Sequence, residues 1–128
     1  PTLSGGEAQR MKLVGELTKG IESRRAKGSR RSGKGHLYLL EEPTIGLHLV
    51  DCEKLLALFH QLVDQGHTLI VIEHNLHILA DADYLGELGP GGGGNGGHML
   101  FQGSPTELAR KGETPTAPFL SAIFNIKN

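Results

Sequence analysis

The sequence predicts an α/β fold, a mostly parallel sheet with flanking helices, and three features lead there. Residues 37–40 are a short continuous apolar run, the pattern of a strand buried on both faces, and residues 68–72 are a second, β-branched apolar strand. Between them Leu55, Leu58, Phe59 and Leu62 recur at helical spacing, with Leu56 and Val63 alongside. Directly after the first run stand Glu41 and Glu42, at the carboxyl edge where parallel sheets bind ligands.

The remaining elements follow in order. Ser4 is a good helix N-cap, and Glu7 three residues on completes a capping box. Met11, Leu13, Val14 and Leu17 continue a helix that fades over residues 21–25. Residues 24–36 carry six positive charges and no acid among glycines and serines, which is a loop. A helix is expected over residues 51–65, stopped by Gly66, so that strand, helix and strand form a parallel crossover unit. A short helix at 76–82, a weaker strand at 84–88, a flexible turn at 89–97 and a strand at 99–102 come next. Eight of the nine residues in that turn are Gly or Pro. Ser104, Pro105 and Glu107 start another helix, Pro105 at its first position. In the tail from residue 114, Phe119, Leu120, Ile123, Phe124 and Ile126 are expected to dock on a surface outside this chain. Two segments result: a domain portion at 1–113 and a tail at 114–128.

Composition bounds the function classes. With 38% apolar residues, 5% aromatics and no Trp among 128 residues, the core of this single domain is aliphatic. A net charge of −1 gives no global field towards nucleic acid or membrane. One cysteine, Cys52, excludes an internal disulfide and a cysteine-rich zinc site. No apolar stretch reaches the ~20 residues of a membrane span and no signal peptide is visible, so no membrane partner and a cytoplasmic location are expected. The chain opens at Pro1 already inside a motif, which reads as an excised fragment.

Three motifs carry chemistry. Ser4, Gly5 and Gly6 put free backbone N–H groups, a hydroxyl and the positive end of a helix dipole together, an anion site; Gln9 and Arg10 adjoin it. Glu41 can hold Mg²⁺, which prefers hard oxygen ligands and keeps much of its water. Glu42 can orient and polarise the water that attacks a γ-phosphate. The bland alternative is two exposed acids that end a strand. His74 ends the next run, where an imidazole can hydrogen-bond the γ-phosphate and the attacking water. Of the other histidines, His36, His60, His67, His77 and His98 read as surface residues, and His48 lies in the turn after the carboxylates. Residues 28–35 match P-loop spacing until Gly35 takes the place of the Mg²⁺-binding Ser or Thr. This string also precedes a strand rather than a helix, so it is a basic loop.

The run Leu-Ser-Gly-Gly-Glu-Ala-Gln-Arg at 3–10, Glu-Glu-Pro-Thr-Ile-Gly-Leu-His at 41–48 and Val-Ile-Glu-His-Asn at 71–75 resembles the ABC-type ATPases. Within them it resembles UvrA, the damage-recognition ATPase of the bacterial UvrABC excinuclease, over residues 1 to about 120. The resemblance implies a partial P-loop NTPase fold without its Walker A strand and loop. It makes Ser4, Gly5, Gly6, Glu7 and Gln9 part of the signature motif, which contacts ATP held by another domain. Glu41 takes the Walker B magnesium position, with a P-loop Ser or Thr from outside this chain, and Glu42 the catalytic base position. Pro43, Thr44, Gly46, Leu47 and His48 form the D-loop at a domain interface, and His74 is the switch histidine. Implied cofactors are ATP and Mg²⁺. Implied partners are the rest of the nucleotide-binding domain, a homodimer mate, damaged double-stranded DNA and the UvrB protein of the excinuclease.

Glu41, one methylene longer, stands where Asp is usual, and Ile45 where Thr is usual; the basic loop is an insertion, which points towards a divergent paralogue. Two other readings stay open: a non-catalytic ABC-fold interaction or regulatory module, and the ATPase component of a transporter. The fragment alone is expected to be inactive. Lacking a central strand, it is expected to pair 68–72 directly with 84–88, to self-associate through that edge, or to be partly disordered.

Overall fold

The computed structural model describes residues 35–126. The helix expected after Ser4 and nearly all of the basic loop lie outside them. The described residues divide into two compact units, the first ending at Glu73 and the second beginning at His74.

In the first unit, strand β1 (Leu37–Glu41), helix α1 (Leu49–Asp64) and strand β2 (Thr68–Ile72) form the expected parallel crossover. Leu37 pairs with Thr68 and Glu41 with Ile72. α1 lays Leu55, Leu58, Phe59 and Leu62 on Leu40, with Tyr38, Leu47, Leu56, Leu69 and Val71 packed around them. Gly66 ends the helix as expected. Its φ is 93°, a conformation glycine adopts without strain. Its N–H donates to the Val63 carbonyl (2.9 Å) and the His67 N–H to that of Leu62 (3.0 Å), a Schellman motif.

Two expectations need correction here. β1 is buried on one face rather than both: α1 covers Tyr38 and Leu40, while Leu37 and Leu39 remain 65% and 67% exposed; on β2, Ile70 and Ile72 are likewise about half exposed. His67 is buried, not superficial. The turn after Gly66 swings its ring against those of His36 (5.4 Å between centroids) and Tyr38 (5.6 Å). Its Nδ1 accepts the His36 backbone N–H at 2.9 Å.

The second unit holds helix α2 (Leu76–Asp81), strands β3 (Leu85–Gly89) and β4 (His98–Gly103), and helices α3 (Pro105–Lys111) and α4 (Ala117–Ile123). β3 and β4 pair antiparallel, from Leu85 opposite Gly103 to Gly89 opposite His98. The glycine run between them contains one 3₁₀ turn, Gly93–Asn95. The direct pairing of the second and third strands does not occur: among the described strands, β2 is joined to β1 and β3 to β4. Each ladder takes its partner from the nearest connection, a crossover or a hairpin.

Leu85, Leu108, Ala109, Ala117 and Leu120 make the core of this unit, with Leu76, Leu79, Ala80, Phe101, Phe124 and Ile126 against it. The tail therefore docks chiefly on its own chain rather than on an outside surface. Leu120 is fully enclosed, whereas Phe119 is 60% exposed. Thr116 fastens the approach to α4, donating its N–H and hydroxyl to the Glu87 carboxylate. The α3 cap is as read: Ser104 Oγ accepts the Glu107 N–H (3.2 Å) while the Glu107 carboxylate accepts the Ser104 N–H (3.4 Å). Ser104→Ala is expected to cost about 1 kcal/mol of stability in urea unfolding followed by circular dichroism.

Candidate functional site

The carboxyl ends of β1 and β2 lie side by side because a parallel crossover sends both strands in one direction. Glu41 closes β1 with its side chain exposed. Glu42 follows in a conformation that few non-glycine residues take, with φ at 45°. Its N–H donates to the Ile72 carbonyl at 2.7 Å, extending the sheet bonding by one residue. Its own carbonyl accepts the Ile45 N–H (3.3 Å), and that of Thr44 the Leu47 N–H (3.0 Å). These bonds fold residues 42–47 into consecutive turns, the second eased by Gly46 at φ 78°.

Within the turns Pro43 and Thr44 are buried, Leu47 is half-buried, and Gly46 and His48 are exposed. His48 is also the N-cap residue of α1, but its side chain makes no capping bond. The Thr44 hydroxyl donates to Oε1 of Glu73, the residue that follows β2. Glu73 does not stand out in the sequence, where only its place beside His74 draws the eye. Its other oxygen, Oε2, is buried and has no hydrogen-bond partner among the described residues. Nearby, Cys52 is buried in α1. Its thiol is pushed up from its ordinary value by burial first, then by the charges of Glu73 and Asp51.

The structure thus brings Glu41, Glu42 and residues 43–48 together in the first unit. His74 is exposed and opens the second unit. Beyond it Asn75 caps α2, its side chain accepting the N–H groups of His77 (3.0 Å) and Ile78 (3.4 Å). The anion-site residues Ser4, Gly5, Gly6, Glu7 and Gln9 lie outside the described residues. The end of the P-loop-like string is described and leads into a strand, not a helix. The His36 carbonyl accepts the Thr68 N–H at 3.0 Å, and a side chain at Gly35 would lie 2.0 Å from the Gly66 carbonyl oxygen.

Among the described residues no three His, Cys, Asp or Glu side chains gather as a metal-holding group. That donor set still fits Mg²⁺ arriving with a nucleotide, which needs only one or two carboxylates besides phosphate oxygens and water. An exposed carboxylate at a strand end, Glu41, meets that need.

Known proteins resemble this chain closely. The UvrABC system protein A of Haemophilus ducreyi is 49% identical over 123 residues, 96% of this chain and 12% of that protein. Its counterpart in Thermus thermophilus is 50% identical over 126 residues, 98% of this chain and 12% of that protein. Over the segment it spans, the chain belongs to the UvrA family. The crystal structure of UvrA2 from Deinococcus radiodurans superposes with a TM-score of 0.73 at 40% identity, covering 94% of this chain and 13% of that one. The α/β architecture is therefore shared with a solved UvrA-type protein. No family model matches the chain. This UvrA-type segment spans about 12% of the length of the curated relatives it matches.

Proposed function

We propose that this segment supplies part of an ATP-hydrolysing site in a DNA-repair protein of the nucleotide excision type, as the C-terminal part of a nucleotide-binding domain. The observation that carries the reading is the pair of carboxylates at the β1 end, with Glu42 held in a left-handed backbone beside β2. Non-glycine residues in that region cluster at functional sites, where the surrounding structure holds them against their own preference. The kinship with UvrABC system protein A supports the same reading.

In it Glu42 orients and deprotonates the attacking water, and Glu41 faces the Mg²⁺ that accompanies ATP. Mg²⁺, when bound, neutralises charge on the phosphates. His74 donates a hydrogen bond towards the γ-phosphate. Ser4, Gly5, Gly6, Glu7 and Gln9 present anion-binding N–H and hydroxyl groups to ATP of another domain. Residues 43–48 lie at that domain interface. Damaged double-stranded DNA, the excinuclease's UvrB protein and a second copy are then partners of the complete protein, and the site is cytoplasmic. Among the described residues no helix is long and apolar enough to cross a membrane.

The test is to graft this segment into a full-length UvrA protein in place of the corresponding one and to measure ATP hydrolysis in a single turnover. The graft is expected to hydrolyse ATP, and Glu41→Ala to raise the Mg²⁺ concentration needed for half-maximal rate about tenfold or more. A graft that binds ATP but never hydrolyses it would favour the non-catalytic module instead.

A further inference from the structure

We infer that Glu73 is a positioning residue for Glu42: by latching Thr44, it holds the turn that keeps Glu42 in its left-handed conformation. The inference rests on the proposed role of Glu42 as the water-orienting carboxylate.

The turn after β1 is tied to the end of β2 at two points. One is the backbone bond from the Glu42 N–H to the Ile72 carbonyl. The other is the side-chain bond from Thr44 Oγ1 to Glu73 Oε1, between residues on two different connections. The first bond fixes the Glu42 N–H but leaves its ψ, and so the course of the chain beyond it, some freedom, restrained locally by the 3.3 Å bond from the Ile45 N–H to the Glu42 carbonyl. The second closes the other side of that freedom, because it pins the residue two positions on. Thr44 is 7% exposed, so its hydroxyl, once unlatched, has little water to turn to.

Local turns do not dictate the left-handed residue. Gly46 already takes the positive φ that the following turn uses, and Glu42 carries a side chain for which such a φ is unfavourable. A restraint from outside the turn is what such a conformation requires, and Glu73 is placed to provide it. Only one carboxylate oxygen is used: Oε1 accepts the hydroxyl, while Oε2 makes no hydrogen bond among the described residues. The latch as seen uses one acceptor oxygen. A glutamine offers the same oxygen.

The experiment uses the full-length graft and reads kcat and KM for ATP in Thr44→Val, Glu73→Ala, Glu73→Gln and the Thr44→Val/Glu73→Ala double variant, with Glu42→Gln as reference. Thr44→Val and Glu73→Ala are each expected to lower kcat about tenfold or more with KM unchanged, since a displaced catalytic group costs turnover rather than binding. The double variant should be no slower than the slower single, as for two ends of one bond. Glu73→Gln should stay within about threefold of the unsubstituted graft, since its amide oxygen still accepts the Thr44 hydroxyl. Thr44→Val is nearly isosteric and reports even if Glu73→Ala fails to fold. Unchanged kcat in Thr44→Val, or single effects that multiply in the double variant, overturns the latch. A Glu42→Gln graft that turns over normally instead removes the role assigned to Glu42.

Discussion

Glu42→Gln in the full-length graft is expected to lower ATP turnover by about two to four orders of magnitude while ATP binding persists. The amide keeps the size and rotamers of the carboxylate but cannot take a proton from water. Glu42→Gly makes a second, sharper case. At φ 45° the native side chain works against its own backbone, a cost of roughly 1–2 kcal/mol that glycine does not carry. Against this stands glycine's greater freedom in the unfolded chain, worth about 0.4–1 kcal/mol the other way. Glu42→Gly should therefore unfold at the same temperature as the unsubstituted protein or slightly above it, and yet be inactive. A residue kept for stability would show the opposite: loss of melting temperature and retained turnover. Turnover in Glu42→Gln within about threefold of the unsubstituted graft would end the catalytic reading, whatever the thermal data show.

The same residue shows where sequence reading reaches its limit. That two carboxylates end β1 was legible, because an apolar run that stops abruptly at acidic residues marks a strand end. The crossover, the apolar face of α1, the stop at Gly66 and the Ser104 capping box were legible too, each decided by residues a few positions apart. What was not legible depends on distant partners. The conformation of Glu42 is set by Ile72 and by the latch of Thr44 to Glu73, residues 29 positions apart. The burial of His67 follows from its place one step past a Schellman glycine, a position that often packs back on the helix, yet its partners His36 and Tyr38 come from another strand and its approach. One-sided burial of β1 could not be read at all. A continuous apolar run says that both faces can be covered, not that both are.

The C-terminal tail turns that lesson into a measurable contrast. Five apolar residues between 119 and 126 look alike in sequence, but α4 enters the core along one stripe only. Leu120 has no exposed surface and packs with Leu85, Leu108 and Ala109, while Phe119, one position earlier, points away at 60% exposure. Leu120→Ala is expected to destabilise the second unit by about 2–5 kcal/mol, the cost of a lost buried side chain plus the cavity it leaves. Phe119→Ala, although it removes the larger side chain, should change stability by no more than about 0.5 kcal/mol. Hydrogen exchange resolved by residue can assign the effect, because Leu120→Ala should speed exchange across α3, α4 and the β3–β4 ladder before it reaches α1. If the tail's true seat lay on another surface, the order would invert: Phe119→Ala would be the costly change in the full-length protein, and Leu120→Ala the mild one.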